Sequence, residues 1–344
     1  MRAQVLSGIG KIEMREVCRP VIERDEDVLL KVEMVGVCGS DVHYYETGRI
    51  GSQVAEYPFM VGHEFTATVE EVGKGVTRVK IGEKVVVDPA IVCGECEQCR
   101  GGRENTCRKL KFLGCPGQAE GCLCEYIVMP ERCCYGIDEK IGLEAGVLCE
   151  PFAIGVYAVE QSQAGVGTKA AILGAGPIGL SCMVAAMAQG TETVYVTDKI
   201  DERAEVAKSN GAVWAGNPER EDIVGAVLER EPLGVDVVYE CAGEQDAIDQ
   251  AVELLRPGGK LMLIGIPRVE RISFVIERIR RKEITIVNVR RQNDCTQKAI
   301  DLIASGKAKV DFMITHRFGF EQTREALELV AGYGDGVVKA LIKI

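Results

Sequence analysis

Residues 169–198 read KAAILGAGPIGLSCMVAAMAQGTETVYVTD, and this stretch decides the fold of one half of the chain. The apolar run AAIL reads as a strand covered on both faces, and PIGLSCMVAAMAQG carries the apolar spacing of a helix. Between them lies GAGPIG. Gly174 permits a tight turn, Gly176 lets the main chain approach a pyrophosphate, Pro177 and Ile178 open the helix, and Gly179 lets helix and strand pack closely. The phosphates would then face the positive helix N-terminus. Asp198 closes the second strand, where a carboxylate accepts hydrogen bonds from both hydroxyls of an adenine ribose and repels a 2′-phosphate. That favours NAD over NADP, although Lys199 and Arg203 are neighbouring cations that soften the preference; Arg203 completes the candidate cofactor set.

Outward from this motif, near-continuous Val, Ile and Leu runs recur at 169–174, 193–198, 235–243, 259–265 and 283–289, with a shorter one at 212–216. Helical spacing fills the gaps, which is the pattern of a doubly wound parallel sheet, an α/β fold. From Met1 to about Cys149 the signals differ. DVLLKVEMVGVCG, FTATVEEVG, IGEKVVV and CEYIVM are short strands of period near two, cut by Gly73, Gly75 and Gly82. The character changes at Pro151. After Val289 come an amphipathic helix, CTQKAIDLIASGK, a strand containing ITHRF, a helix from about Glu321 to Ala331, and a last strand, VVKALIKI. This tail is too short for a domain and is expected to complete the first one. The expected organisation is 1–152 with 290–344 as a β-rich domain, and 153–289 as a dinucleotide-binding domain.

The length of 344 residues suits two domains at about 150 residues each. A net charge of −11 gives a polyanion a repulsive surface and excludes nucleic-acid binding. The N-terminus MRAQVLSGIGKIEMREV alternates and soon meets charges, so it reads as a strand, not as a signal peptide. No apolar stretch approaches the roughly 20 residues of a membrane span. Fifteen cysteines without an export signal imply reduced thiols and metal ligands in a cytoplasmic protein.

Those cysteines include Cys93, Cys96, Cys99 and Cys107 in CGECEQCRGGRENTC, a spacing that lets four sulfurs meet at one tetrahedral point. Four thiolates close the shell of a zinc ion, so this site is structural. Other ligand types gather elsewhere. GVCGSDVHYYETGRIG carries Cys38, Ser40, His43 and Tyr44, VGHEF carries His63 and Glu64, and Glu150 stands just before Pro151. Two of the three histidines lie in these glycine-bounded segments. A zinc on Cys38, His63 and an oxygen ligand would keep one position open, as in a catalytic site, and act on an alcohol oxygen as a Lewis acid.

Taken together, these residues resemble the zinc-containing medium-chain dehydrogenase/reductase family, closest to the sorbitol (L-iditol) and other polyol dehydrogenases. The resemblance spans essentially the whole chain. Its most specific parts are GVCGSDVHYYETGRIG, GHE at 62–64, the four-cysteine lobe, EP at 150–151, GAGPIG, and THRF at 315–318. It implies a GroES-like β-rich catalytic domain and a Rossmann domain, two zinc ions per chain, and NAD. The catalytic zinc would sit on Cys38, His63 and Glu64 with a water, with Glu150 near enough to bind that water or replace it. Ser40 and His43 match proton-relay positions; Tyr44 and Arg290 match the substrate pocket. Arg291 stands where many sorbitol dehydrogenases have a tyrosine, and Cys149 precedes the glutamate, which points to a pocket tuned to another polyol or a sugar acid.

The implied reaction is oxidation of a secondary hydroxyl of a polyol to a ketose with NAD, through a zinc alkoxide and hydride transfer. Within the same framework the alternatives are L-threonine 3-dehydrogenase and a polyol-phosphate dehydrogenase, the latter because Arg290 and Arg291 could bind an anion. A non-catalytic NAD-binding redox sensor is the alternative of another class; it would be expected to lose the open metal site, whose residues are all present. The segment ISFVIERIRRKEITIVN ends in an apolar strand whose open edge invites a second copy, and the resemblance implies dimers or homotetramers.

Overall fold

The computed structural model describes residues Met1–Ile344 throughout. Contacts divide the chain into two units, Met1–Glu150 with Ile314–Ile344, and Pro151–Met313. The fold class is α/β, a β-rich first unit and a second unit with a six-stranded parallel sheet.

In the second unit the strands lie in the order Trp214–Gly216, Thr193–Thr197, Lys169–Leu173, Val235–Glu240, Leu255–Leu263, Thr285–Asn288. Every neighbouring pair is parallel. Numbered along the chain this is 3-2-1-4-5-6, with the order reversing between the first and fourth strands, the crevice where such sheets bind ligands. Ala170, Ala171, Ile172 and Leu173 are all buried, which explains why the strand reads as an unbroken apolar run: helices cover both of its faces.

The boundaries read from the sequence, 152/153 and 289/290, differ from this division, because residues 290–313 group with the second unit. The amphipathic helix Thr296–Ala304 is tied to the helix Cys149–Ser162 through one carboxylate. Lys298 Nζ bonds Glu160 at 2.8 and 2.9 Å, and the Cys295 thiol donates to it at 3.7 Å. Apolar spacing located the helix correctly, but its anchor lies far back in the chain.

The first unit is built on a seven-stranded sheet. Cys134–Gly136, Lys84–Val87, Glu64–Val72, Asp27–Gly36, Lys339–Lys343 and Ile314–Gly319 follow in order, and Tyr126–Pro130 pairs with the early part of the Asp27–Gly36 strand. The last strand and the one before it come from residues 314–344, the part of the C-terminal tail that lies in the first unit. Its core gathers Leu30, Val32, Phe65, Ala67, Val69, Val85, Met129 and Ile342, the inward half of each alternating strand. Register places the chemistry. Gly36 pairs with Glu64 in the antiparallel ladder, so Cys38, two residues beyond one strand, meets His63 at the start of the other. No helix is long and apolar enough to cross a membrane.

Candidate active site

Cys38 is the N-cap of the helix Gly39–Thr47. The side chain of Asp41, three residues on, accepts the Cys38 N–H at 3.0 Å, closing the first turn as a capping box does. The other oxygen of the same carboxylate accepts the Gly62 N–H at 3.0 Å and lies 3.4 Å from His63 Nδ1. Asp41 is buried. It thus fixes both ligand-bearing segments and, by engaging Nδ1, leaves Nε2 of His63 free for a metal. Gly62 has φ of +98°, and a Cβ there would lie 3.1 Å from the Cys122 sulfur, so the sharp entry into GHE requires glycine.

Ligand-type atoms of Cys38, His63 and Glu64 all lie within 4.8 Å of one another. Soft thiolate, imidazole and carboxylate make a donor set that suits zinc, and three protein ligands leave a fourth corner open. Burial works against a charged His63, but Asp41 and Cys38 outweigh it and hold its pKa well above the ordinary value. The same surroundings that favour an imidazolium favour a dication. Glu150 is buried but is not one of the three converging groups. Burial, with Glu64 and Asp88 adding to it and His63 and Lys339 opposing it, pushes its carboxyl up to about 7.

Glu64 has a second partner. Lys339 Nζ bonds Glu64 Oε2 at 2.6 Å and the Val37 carbonyl at 3.1 Å, with side-chain exposures of 1% and 2% for the pair. A Cβ at Gly36 would fall 2.5 Å from that same oxygen, so only glycine fits beside it. Lys339 neutralises the glutamate and fixes its rotamer, leaving Oε1 for coordination.

The four-cysteine lobe offers a sharper geometric fit. Neighbouring sulfurs lie 3.4 Å (Cys93–Cys107), 3.6 Å (Cys96–Cys99), 3.9 Å (Cys93–Cys99) and 4.0 Å (Cys96–Cys107) apart. A Zn–S bond of about 2.3 Å implies tetrahedral edges of about 3.8 Å. The N–H groups of Arg108 and Cys99 pull the Cys96 thiol down to about 6, whereas burial and adjacent thiols push Cys99 up to about 12. Four thiolates so close cannot all ionise without a cation among them.

Ser40 and His43 are half-buried on the first turns of the Cys38 helix. Tyr44 is buried, its hydroxyl donating to Gln53 at 3.3 Å and lying 3.6 Å from the Cys115 sulfur. Arg290 is exposed and Arg291 half-buried with φ of +54°, both in the second unit.

In the second unit Gly176 is the N-cap of the helix Pro177–Ala188, with Pro177 at its first position. A Cβ on Gly179 would lie 1.8 Å from the Gly174 carbonyl, whereas one on Gly176 would meet only Arg203, at 3.8 Å. The third glycine is therefore required by helix–strand packing and the second leaves open a cradle for phosphates. Asp198 accepts the N–H groups of Ala175 at 2.7 Å and Ile200 at 2.8 Å. Burial pushes its pKa up, against those N–H groups and the Arg203 charge. The residues fit a dinucleotide.

The model of the alcohol dehydrogenase GroES-like domain matches residues 24–139, and that of the zinc-binding dehydrogenases matches residues 177–305. A sorbitol dehydrogenase of Bacillus subtilis is 36% identical over 343 residues, covering 99% of this chain and 97% of its own. The chain belongs to the zinc-binding dehydrogenases. This dehydrogenase is also 35% identical to D-xylulose reductase A of Aspergillus oryzae, over 98% of this chain and 95% of that protein. Among solved structures, an Escherichia coli oxidoreductase/dehydrogenase of unknown specificity superposes with a TM-score of 0.93 at 32% identity, covering 100% of this chain and 99% of the other.

Asp41 and Lys339 were not singled out in the sequence. Asp41 had a signal, its place three residues after Cys38 at a helix start; Lys339 had none beyond being a lone charge in an apolar strand. Replacing Lys339 by Met would leave Glu64 buried without its cation. In metal-depleted enzyme this is expected to cost about 3–5 kcal/mol in urea unfolding; a cost below about 1 kcal/mol would contradict the pairing.

Proposed function

We propose that the enzyme oxidises a secondary hydroxyl of a polyol of the sorbitol, xylitol or L-iditol type to a ketose, with NAD as hydride acceptor. The observation that carries this is the convergence of Cys38, His63 and Glu64 on one point, three unlike donors beside a separate four-thiol site that has no room for substrate. The polyol relatives from Bacillus subtilis and Aspergillus oryzae support the substrate class.

Two zinc ions per chain are assigned, one to Cys93, Cys96, Cys99 and Cys107, and one to Cys38, His63 and Glu64. A zinc ion in the second site supplies Lewis acidity toward an alcohol oxygen. The chain's own groups do the rest. Asp41 keeps His63 in one tautomer, and Lys339 holds Glu64. Ser40 and His43, three positions apart on one helix and so on one face, are assigned to carry the hydroxyl proton outward, a task to which an imidazole is suited at physiological pH. Glu150 is assigned to hold a water or to take its place beside the three ligands. Tyr44 is assigned to the wall of the substrate pocket, and Arg290 and Arg291 to the substrate's remaining oxygens.

Gly174, Gly176, Pro177, Ile178 and Gly179 are assigned to the pyrophosphate, and Asp198 with Arg203 to the adenine ribose. A carboxylate there disfavours a 2′-phosphate, hence NAD. The enzyme is further assigned as a homo-oligomer. Thr285–Asn288 is an edge strand, and Ile266, Val269, Val275 and Ile276, close before it in the chain, are 56–70% exposed.

Steady-state rates with sorbitol, xylitol, galactitol, their phosphates and L-threonine test the reading. Turnover of an unphosphorylated polyol is expected, with kcat/KM at least about tenfold higher for NAD than for NADP. Turnover confined to the phosphates or to L-threonine, or flat rates on all, would overturn it. Light scattering is expected to give at least twice the chain mass of 37.3 kDa; a monomer at micromolar concentration would contradict the assigned edge.

A further inference from the structure

Glu240 ends the fourth strand of the parallel sheet, Val235–Glu240, beside the point where the strand order reverses. Its exposure is 1%, and no Lys, Arg or His pairs with it. Instead Oε1 accepts two main-chain N–H groups, Ala242 at 2.8 Å and Gly243 at 2.6 Å. Burying a carboxylate without a cation is costly, and such a group persists where its hydrogen bonds fix something. An apolar residue would fill the same space without that cost.

The turn it fixes is central to the crevice. Cys241 N–H donates to the Leu173 carbonyl at 2.8 Å, binding the turn to the end of the first strand. A Cβ on Gly174 would lie 3.0 Å from Ala242 N, so residues 241–243 press main chain to main chain on the first glycine of GAGPIG. On the other side a Cβ at Gly265 would lie 2.3 Å from Gly243 N and 2.9 Å from Glu240 Oε2. The Glu240 carbonyl accepts the N–H groups of Ile264 and Gly265 at 3.0 and 2.9 Å. Glu240 and the turn it holds thereby tie together the exits of the first, fourth and fifth strands, and Gly243, with φ of +71°, takes the left-handed conformation this needs.

We propose that Glu240 is a positioning residue for the cofactor: its carboxylate holds the 241–243 turn against the glycine turn and so sets the floor on which the dinucleotide lies. The inference rests on the assignment of NAD to this unit. It acts on cofactor affinity, not on the metal site, whose ligands all belong to the first unit.

Glu240→Ala frees two buried N–H groups, and KM for NAD is expected to rise on the order of tenfold to a hundredfold, with kcat and the polyol KM within about threefold of the parent. Glu240→Gln keeps an acceptor oxygen at the same reach and is expected to restore KM for NAD to within about threefold of the parent. Should the alanine variant fail to fold, Glu240→Asp, which retracts the carboxylate by one methylene, carries the test through NADH fluorescence titration, with an expected loss of affinity of at least about fivefold. Unchanged NADH affinity in the aspartate variant, or in the alanine variant a fall of kcat with KM for NAD and KM for the polyol rising alike, overturns the proposal. If the parent protein itself bound no NADH, the cofactor assignment would fail instead.

Discussion

Asp41 is the carboxylate on which the first unit's chemistry depends. Cys38 and His63 come from segments 25 residues apart in the chain, and neither is held by a regular ladder at the point where its side chain must be aimed. A buried anion that accepts the Cys38 and Gly62 N–H groups and faces His63 Nδ1 converts two loops into one rigid frame. The energetic logic is that of a buried charge which must be satisfied. Every acceptor of Asp41 that found no partner would cost free energy, so the loops are drawn to it. Glu64 is fixed by the opposite device, a buried lysine brought in by the C-terminal strand. The chain's last residues are thus part of the site, which explains why the tail crosses back to the first unit.

Two metal-ligand clusters of opposite character follow in one unit. The cysteine-only lobe is closed in both senses: its sulfurs already occupy the corners of a tetrahedron, and its identical soft donors give a metal no reason to seek a further ligand. The mixed set of thiolate, imidazole and carboxylate is open. It lies near Glu150, whose carboxyl burial pushes up while the His63 charge opposes the rise.

What was legible in the sequence was local. GAGPIG sits between a strand and a helix within one short window, and the cysteine lobe encloses its own candidate ligands; the fold class follows from such windows, whereas the Cys38, His63 and Glu64 set spans two segments and was carried by the family resemblance. Strand positions in the second unit were likewise readable, because burial on both faces leaves an unbroken apolar run. What was not legible depends on register and on long-range return. Lys339 reads as a stray charge until its strand is paired with Asp27–Gly36. Glu240 reads as the polar end of a strand until the turn it holds is seen to press on Gly174 and Gly265. The grouping of residues 290–313 with the second unit goes with long-range contacts such as that of Lys298 with Glu160, which periodicity does not encode. Tyr44, matched to a pocket by motif, is buried against Gln53 and Cys115, so its neighbours had to be seen to define its surroundings.

The central claim is that chemistry depends on a dication held by Cys38, His63 and Glu64, with the four-thiol site serving only the fold. Metal content followed against turnover during stepwise chelation tests it most directly. The account predicts that activity falls in proportion to loss of the first, more open zinc while about one zinc per chain and the folded far-ultraviolet signal remain. Full activity in protein that retains only the cysteine-bound zinc would contradict it.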